Sequence, residues 1–279
     1  MTDSLLVVTV DRDAVELVAD ALLRAGASAV EERPGDDGRV VLLSDARIAS
    51  IDQLTRLPGV VGAIEARPVV DDGMDGWRLY ARPQRAGQRI VVRPAWVRPL
   101  PDMRPDDLEL VIDPGRAFGS GSHATTRLAL AALERLVTPV STVLDVGCGS
   151  GVLAIGAARL GARTVLAVDI DEAALTATEA NVALNGVADQ VTVRGGSIGE
   201  LAGSWSIVMA NISAAVLRQL APDLIAHLER GGQLVLAGML HEQLDEVVAA
   251  FPTCHSSAVT IEEGWACAVL RSGPEEGHR

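Results

Sequence analysis

The sequence predicts an α/β protein: a mostly parallel sheet covered by helices, preceded by a smaller α+β unit. Three observations predict it. From residue 108 onward, short apolar runs at 143–146, 165–168, 191–193, 207–210 and 234–237 alternate with helical segments, as buried strands of a helix-covered parallel sheet do. The first seventy or so residues follow a different pattern of apolar and amphipathic stretches. Between the two lies an acidic break, Asp71-Asp72-Gly73-Met74-Asp75-Gly76, of the kind that separates folding units.

Taken in order, the chain opens with an apolar run at 5–10, an amphipathic stretch at 14–25, a second apolar run at 40–43, a helix-like stretch at 51–57 and a further run at 60–69. With one more strand hidden among the short runs, this makes a small α+β sandwich. Residues 82–101 hold four prolines around one apolar strand, 90–92, so the linker is placed at 71–105, between units 1–70 and 106–279. A helix is expected at 127–136 and another at 152–160. The tail breaks the alternation: 256–261 and 266–270 are separated only by Glu262-Glu263-Gly264-Trp265, which reads as a closing antiparallel hairpin.

Composition narrows the function. A chain of 279 residues with 48% hydrophobic and 22% charged residues is neither disordered nor collagen-like. No apolar run reaches the roughly 20 residues of a bilayer span, and residues 1–11 lack a signal pattern, so the expected compartment is the cytosol. Cys148, Cys254 and Cys267 share no ligand spacing, and neither disulfides nor a metal site is expected. All 24 basic residues are Arg against 37 acidic ones, net charge −13. Without Lys there is no Schiff base and no P-loop. The negative charge and the few aromatics (four Trp, one Tyr, two Phe) disfavour nucleic-acid binding. A basic protein partner would be attracted, although plain solubility explains the same charge.

Residues 143–146 run directly into Gly147-Cys148-Gly149-Ser150-Gly151, a turn whose glycines let a ligand approach the backbone. The dinucleotide pattern G-x-G-x-x-G would need a glycine where Val152 stands, which counts against a nicotinamide cofactor. The second strand closes in Asp169-Ile170-Asp171, 22 residues after Gly147. A carboxylate at that edge can accept both hydroxyls of a ribose. Glycine turns and strand-end aspartates each occur for structural reasons alone; the loop, the upstream Asp145 and the spaced Asp169 together point to a ligand.

The strand at 207–210 ends in Asn211-Ile212-Ser213. Asn there offers a neutral carbonyl acceptor, able to hold N–H groups without competing as a base. Alternatively, Asn211 caps the helix beginning near Ala214. No proline or aromatic residue follows Asn211 directly. Upstream, Asp113-Pro114-Gly115-Arg116-Ala117-Phe118-Gly119-Ser120-Gly121-Ser122-His123-Ala124-Thr125-Thr126 leads into a helix and reads as a lid or cofactor cradle rather than a flexible linker. Cys148 reads as a small loop residue, not a nucleophile.

These motifs resemble the Rossmann-like S-adenosylmethionine-dependent methyltransferases over about residues 108–270. More specifically, Asp-Pro-Gly-x-Ala-Phe-Gly-x-Gly-x-His-x-Thr-Thr at 113–126, Asp-x-Gly-Cys-Gly-Ser-Gly at 145–151 and Ala-Asn-Ile at 210–212 resemble the PrmA family. That family methylates lysine side chains and the N-terminal amine of the eleventh protein of the large ribosomal subunit. The resemblance implies a seven-stranded sheet with a closing hairpin and a ferredoxin-like N-terminal domain that recognises the ribosomal protein. It implies S-adenosylmethionine as cofactor, held by Thr126, Asp145, Gly147, Gly149, Gly151, Asp169, Ile170 and Asn211, with Asn211 and Thr126 as the catalytic pair. Phe118 and His123 would line the cleft. Ser120 and Ser122 replace the family's usual Thr, and Ser213 its usual apolar residue.

A lysine amine, with a pKa near 10.4, must lose a proton before it attacks. Loss to solvent on entry, with Asn211 aiming the lone pair, requires no dedicated base. His123 is read first as a hydrogen-bonded loop anchor and second as a general base. Competing functions are a methyltransferase of the same fold acting on another protein lysine or a small molecule, a non-catalytic binding module, and, more distantly, a nicotinamide-dependent oxidoreductase.

Overall fold

The structure, a computed structural model, describes residues 4–25, 27, 30–45, 54–68, 81–115 and 119–273. The chain divides into two units, Met1–Leu79 and Tyr80–Arg279.

In the first unit, β1 (Ser4–Val10), α1 (Val15–Arg24), β2 (Val30–Pro34), β3 (Val40–Asp45) and β4 (Glu65–Pro68) follow one another. The strands form an antiparallel sheet in the order β2-β3-β1-β4, the ferredoxin-like arrangement. Leu6, Val8 and Val10 alternate along β1 and bury against Val15, Val18 and Leu22, which share one face of α1. The hidden strand is β2. Its sequence, Val-Glu-Glu-Arg-Pro, carries no alternation because it is an edge, where charge and proline are tolerated. Residues 51–53 of the helix-like stretch at 51–57 lie outside the described residues, while Leu54 belongs to this core and Leu57 packs against it.

The second unit begins with a small sheet of β5 (Gln84–Ala86), β6 (Ile90–Pro94) and β7 (Leu108–Ile112), antiparallel between β5 and β6 and parallel between β6 and β7. The linker expected at 71–105 therefore carries two strands, and Ala86, Ile90 and Val92 bury in the same core as Leu128 and Leu133. Proline permits this because Pro94 ends its strand and Pro83, Pro99 and Pro101 lie outside the strands. Arg85 donates to both carboxylate oxygens of Asp107 at 2.8 Å. That pairing, reinforced by the Arg104 backbone N–H, pulls the Asp107 carboxyl down to about 2.

Beyond it lie α2 (Ala124–Leu136), β8 (Thr142–Val146), α3 (Val152–Arg159), β9 (Thr164–Asp169), α4 (Glu172–Leu184), β10 (Val191–Gly195), β11 (Trp205–Asn211), α5 (Ala214–Ala226), β12 (Leu228–Leu240), α6 (Leu244–Ala249), β13 (Cys254–Glu262) and β14 (Trp265–Ser272). The seven strands run β10-β9-β8-β11-β12-β14-β13. The first five are parallel and the last two form the expected antiparallel hairpin. Pleating sends Val143, Val165, Met209 and Val235 to one face against α2 and α3, and Leu144, Val168, Val208 and Leu234 to the other against α5 and α6. Both faces are thus covered, which is why these strands read as unbroken apolar runs. Among the described residues no helix is long and apolar enough to cross a membrane.

Candidate active site

The strand order reverses between β8 and β11, so the carboxyl ends of those strands open onto the crevice where such sheets bind ligands. Ala210 pairs with Val146, and Gly147 and Asn211 leave the sheet side by side. Gly147 turns away with φ +71°, and a Cβ there would lie 2.7 Å from Ile212 Cγ2. No larger residue fits that position. The Gly147 and Cys148 N–H groups donate to Val168 O at 2.9 and 3.1 Å, fixing the loop to the end of β9.

Two aspartates brace the loop from opposite sides. Asp145 lies beneath it, 1% exposed. Its Oδ2 accepts from the Ala154 N–H in the first turn of α3 at 3.0 Å, while Oδ1 has no hydrogen-bond partner. Burial, against the Ala154 bond and with the charge of Asp169, pushes its carboxyl up to about 7. Asp169 lies at the rim. It accepts from the Gly149 N–H and the Asp171 N–H, each at 3.0 Å, and Asp171 in turn caps α4 by accepting from Ala173 N–H. Ile170 beside it is 84% exposed, an apolar surface next to the carboxylate.

On the other side, Asn211 Nδ2 approaches Thr126 Oγ1 at 3.4 Å, and Asn211 Oδ1 is buried without a partner. With the amide nitrogen committed to Thr126, the free carbonyl is left as an acceptor. Asn211 does not cap α5, since Ser213 occupies that position and makes no side-chain bond there. Thr126 is fully buried because α2 starts three residues before the expected 127: His123 is its N-cap, with Nδ1 accepting from the Thr125 N–H at 3.4 Å and lying 2.8 Å from Thr125 Oγ1. The His123 ring meets Trp265 edge-on at 4.8 Å. Burial, followed by the Arg127 charge, lowers its pKa, so the imidazole is neutral at pH 7 with Nδ1 occupied as an acceptor. That is the anchor reading of His123. Arg127 adds a second tie, bonding Ser122 O, Glu262 at 2.6 Å and Glu263 at 2.9 Å.

The Asn-Ile turn is admitted by a third element. At Gly238 (φ +90°) β12 bulges, and a Cβ would fall on the Ile212 backbone, 2.7 Å from C and 2.8 Å from N. Cys148 is buried, its thiol pushed up by burial and 3.4 Å from Thr178 Oγ1, which leaves it unreactive. Phe118 lies outside the described residues. The structure thus gathers Thr126, Asp145, Gly147, Gly149, Gly151, Asp169, Ile170 and Asn211 around one crevice.

Sequence reasoning missed the polar face of α4. Thr178 Oγ1 donates to Gly149 O at 2.9 Å, and Asn181 and Asn185 bond Asp113 and Val111. The signal was there: Ala174, Thr178, Asn181 and Asn185 recur at helical spacing and are buried.

The family model for ribosomal protein L11 methyltransferase (PrmA) matches residues 67–273. A ribosomal protein L11 methyltransferase from Citrifermentans bemidjiense is 42% identical over 77% of this chain and 73% of its own length. One from Dechloromonas aromatica is 39% identical over 90% of this chain and 93% of its own. Among solved structures, a ribosomal protein L11 methylase from Lactobacillus delbrueckii subsp. bulgaricus shares 33% identity at a TM-score of 0.65, covering 69% of this chain and all of that one.

Proposed function

The chain belongs to the ribosomal protein L11 methyltransferase family, PrmA, and from this premise we propose that the crevice between the residue-147 turn and Asn211 methylates amines of ribosomal protein L11, with S-adenosylmethionine as donor. The observation that carries the reading is the Asn211 carbonyl: a buried acceptor without a partner, at the switch point and next to the glycine loop. Leaving such a group unmet costs about 1–3 kcal/mol, which a ligand N–H recovers.

The residues present suit the donor. Asp169, held by two backbone N–H groups, keeps lone pairs for a ribose diol. Ile170 offers an apolar face to an adenine ring, and the loop around Gly147 leaves room for the methionine portion. When bound, S-adenosylmethionine supplies an activated methyl group on sulfonium sulfur.

The protein's own contribution is placement. Thr126 fixes the Asn211 amide so that Oδ1 faces the crevice, where it accepts an N–H of the incoming amine and directs the nitrogen lone pair. The amine sheds its proton to solvent on entry, since apolar surroundings lower an ammonium pKa. His123 holds the helix that carries Thr126. The charge of −13 favours encounter with a basic protein, and the working place implied is the cytosol.

The test is incubation with labelled S-adenosylmethionine and total ribosomal protein, followed by mass spectrometry of the labelled chain. Label on ribosomal protein L11 supports the reading, and label only on another protein or a small molecule refutes it. Asn211→Ala should lower kcat by about 10²-fold, as loss of a positioning bond at the reacting atoms does.

A further inference from the structure

Helix α4 and its C-terminal cap bring two buried amides against the open edge of β7. Asn185 Oδ1 accepts from Val111 N–H at 2.9 Å and its Nδ2 donates to Val111 O at 2.7 Å. Asn181 repeats the pattern two residues along the edge, accepting from Asp113 N–H and donating to Asp113 O, both at 2.9 Å. Alternate residues of a strand present N–H and C=O to the same side, so the two side chains complete the edge of β7 as a neighbouring strand would.

Asn181 then does something Asn185 does not. Its Nδ2 also donates to Ser150 O in the glycine loop at 2.9 Å, and Ser150 Oγ donates to Gly119 O at 2.7 Å. Asp113 and Gly119 both belong to the segment that leads into His123 and Thr126. One amide and one hydroxyl therefore close a triangle between α4, the donor-side loop and the acceptor-side segment. Edge completion alone would need only the pattern of Asn185. Asn181 is 1% exposed, and both polar atoms of its amide are engaged, so the triangle has no slack.

We propose that Asn181, acting through Ser150, is a positioning residue for methyl transfer: it sets the glycine loop and the segment carrying Thr126 in fixed relation, so that donor and acceptor meet in line. The inference rests on the methyltransferase reading above. Asn181 touches no reacting atom in this account. It acts through backbone groups on both sides.

The test compares Asn181→Ala, Asn185→Ala and Ser150→Ala with the parent, all assayed well below their unfolding temperatures. Binding of S-adenosylhomocysteine is measured by calorimetry, and kcat and KM for donor and acceptor by single-label assay. Asn181→Ala should weaken S-adenosylhomocysteine binding roughly tenfold and lower kcat by up to about 10²-fold, the scale of a small misplacement. Asn185→Ala should lower the unfolding temperature while leaving binding and kcat within about twofold. Ser150→Ala should lower kcat roughly tenfold with binding unchanged, and it carries the test alone if Asn181→Ala does not fold. The inference is overturned if Asn181→Ala matches Asn185→Ala in binding and kcat, or if Ser150→Ala retains the parental kcat. A parent that binds S-adenosylhomocysteine but methylates nothing would sink the functional reading instead, and binding alone would then decide between Asn181 and Asn185.

Discussion

Asp145 gives the sharpest quantitative prediction, because its position dictates a sign that is unusual for a carboxylate. An aspartate in the unfolded chain titrates near 3.9, whereas burial holds this one at about 7. Between those values the native state binds the extra proton, so stability falls as pH rises. For a single group with these two pKa values the loss between pH 5 and pH 8 is about 2–3 kcal/mol. Asp145→Asn keeps an oxygen for the Ala154 N–H and abolishes the titration. Urea unfolding of both proteins across that range, followed by the fluorescence of Trp96, Trp205 and Trp265, isolates the effect, because every other carboxylate cancels in the difference. The parent should lose about 2–3 kcal/mol relative to the Asn form on going from pH 5 to pH 8. A difference that stays constant to within about 0.5 kcal/mol would mean that Asp145 is charged throughout, and the reasoning from its burial would be wrong.

Two further outcomes follow from the elements around it. His123→Ala should cost about 1 kcal/mol through loss of the α2 cap, and His123→Asn should restore most of it; because the folded pKa of His123 is lowered, the parent's cap contribution should be present above pH 6.5 and fade as pH falls through that lowered value, while the Asn form shows no such loss in thermal denaturation. Gly238→Ala should drive a methyl group into the Ile212 backbone and reduce kcat by roughly tenfold or more by shifting Asn211, which steady-state kinetics would read directly; unchanged turnover would show that the bulge does not hold the Asn-Ile turn.

The parts of the site that were legible in the sequence are those whose chemistry is local. Gly147, Gly149, Asp169 and Asn211 each sit at the carboxyl end of an apolar run, and the run itself announces the strand. The sheet of β5, β6 and β7 was not legible, because its parallel pair joins Ile90 to Leu108 across a proline-rich connection that reads as a linker. β2 was hidden by its edge position. The start of α2 was misplaced because His is a less familiar cap than Ser, Thr, Asp or Asn. Asn181 and Asn185 were overlooked for a different reason: a polar residue on a helix reads as solvent-facing unless its spacing is matched to the buried face, and only the strand edge opposite explains why two amides are buried there.

The two unpartnered oxygens of Asp145 and Asn211 show how differently a fold can tolerate the same defect. Asp145 Oδ1 and Asn211 Oδ1 are both buried without a hydrogen bond, and each would cost about 1–3 kcal/mol if left as a bare acceptor. The carboxyl can take up a proton and become neutral, so its defect is met internally and appears as a pH dependence. The amide has no such recourse. Its nitrogen faces Thr126, and its carbonyl needs a donor that its own chain does not supply. A site that must receive an amine is served by that combination: an acceptor that cannot ionise and that its own chain leaves unsatisfied.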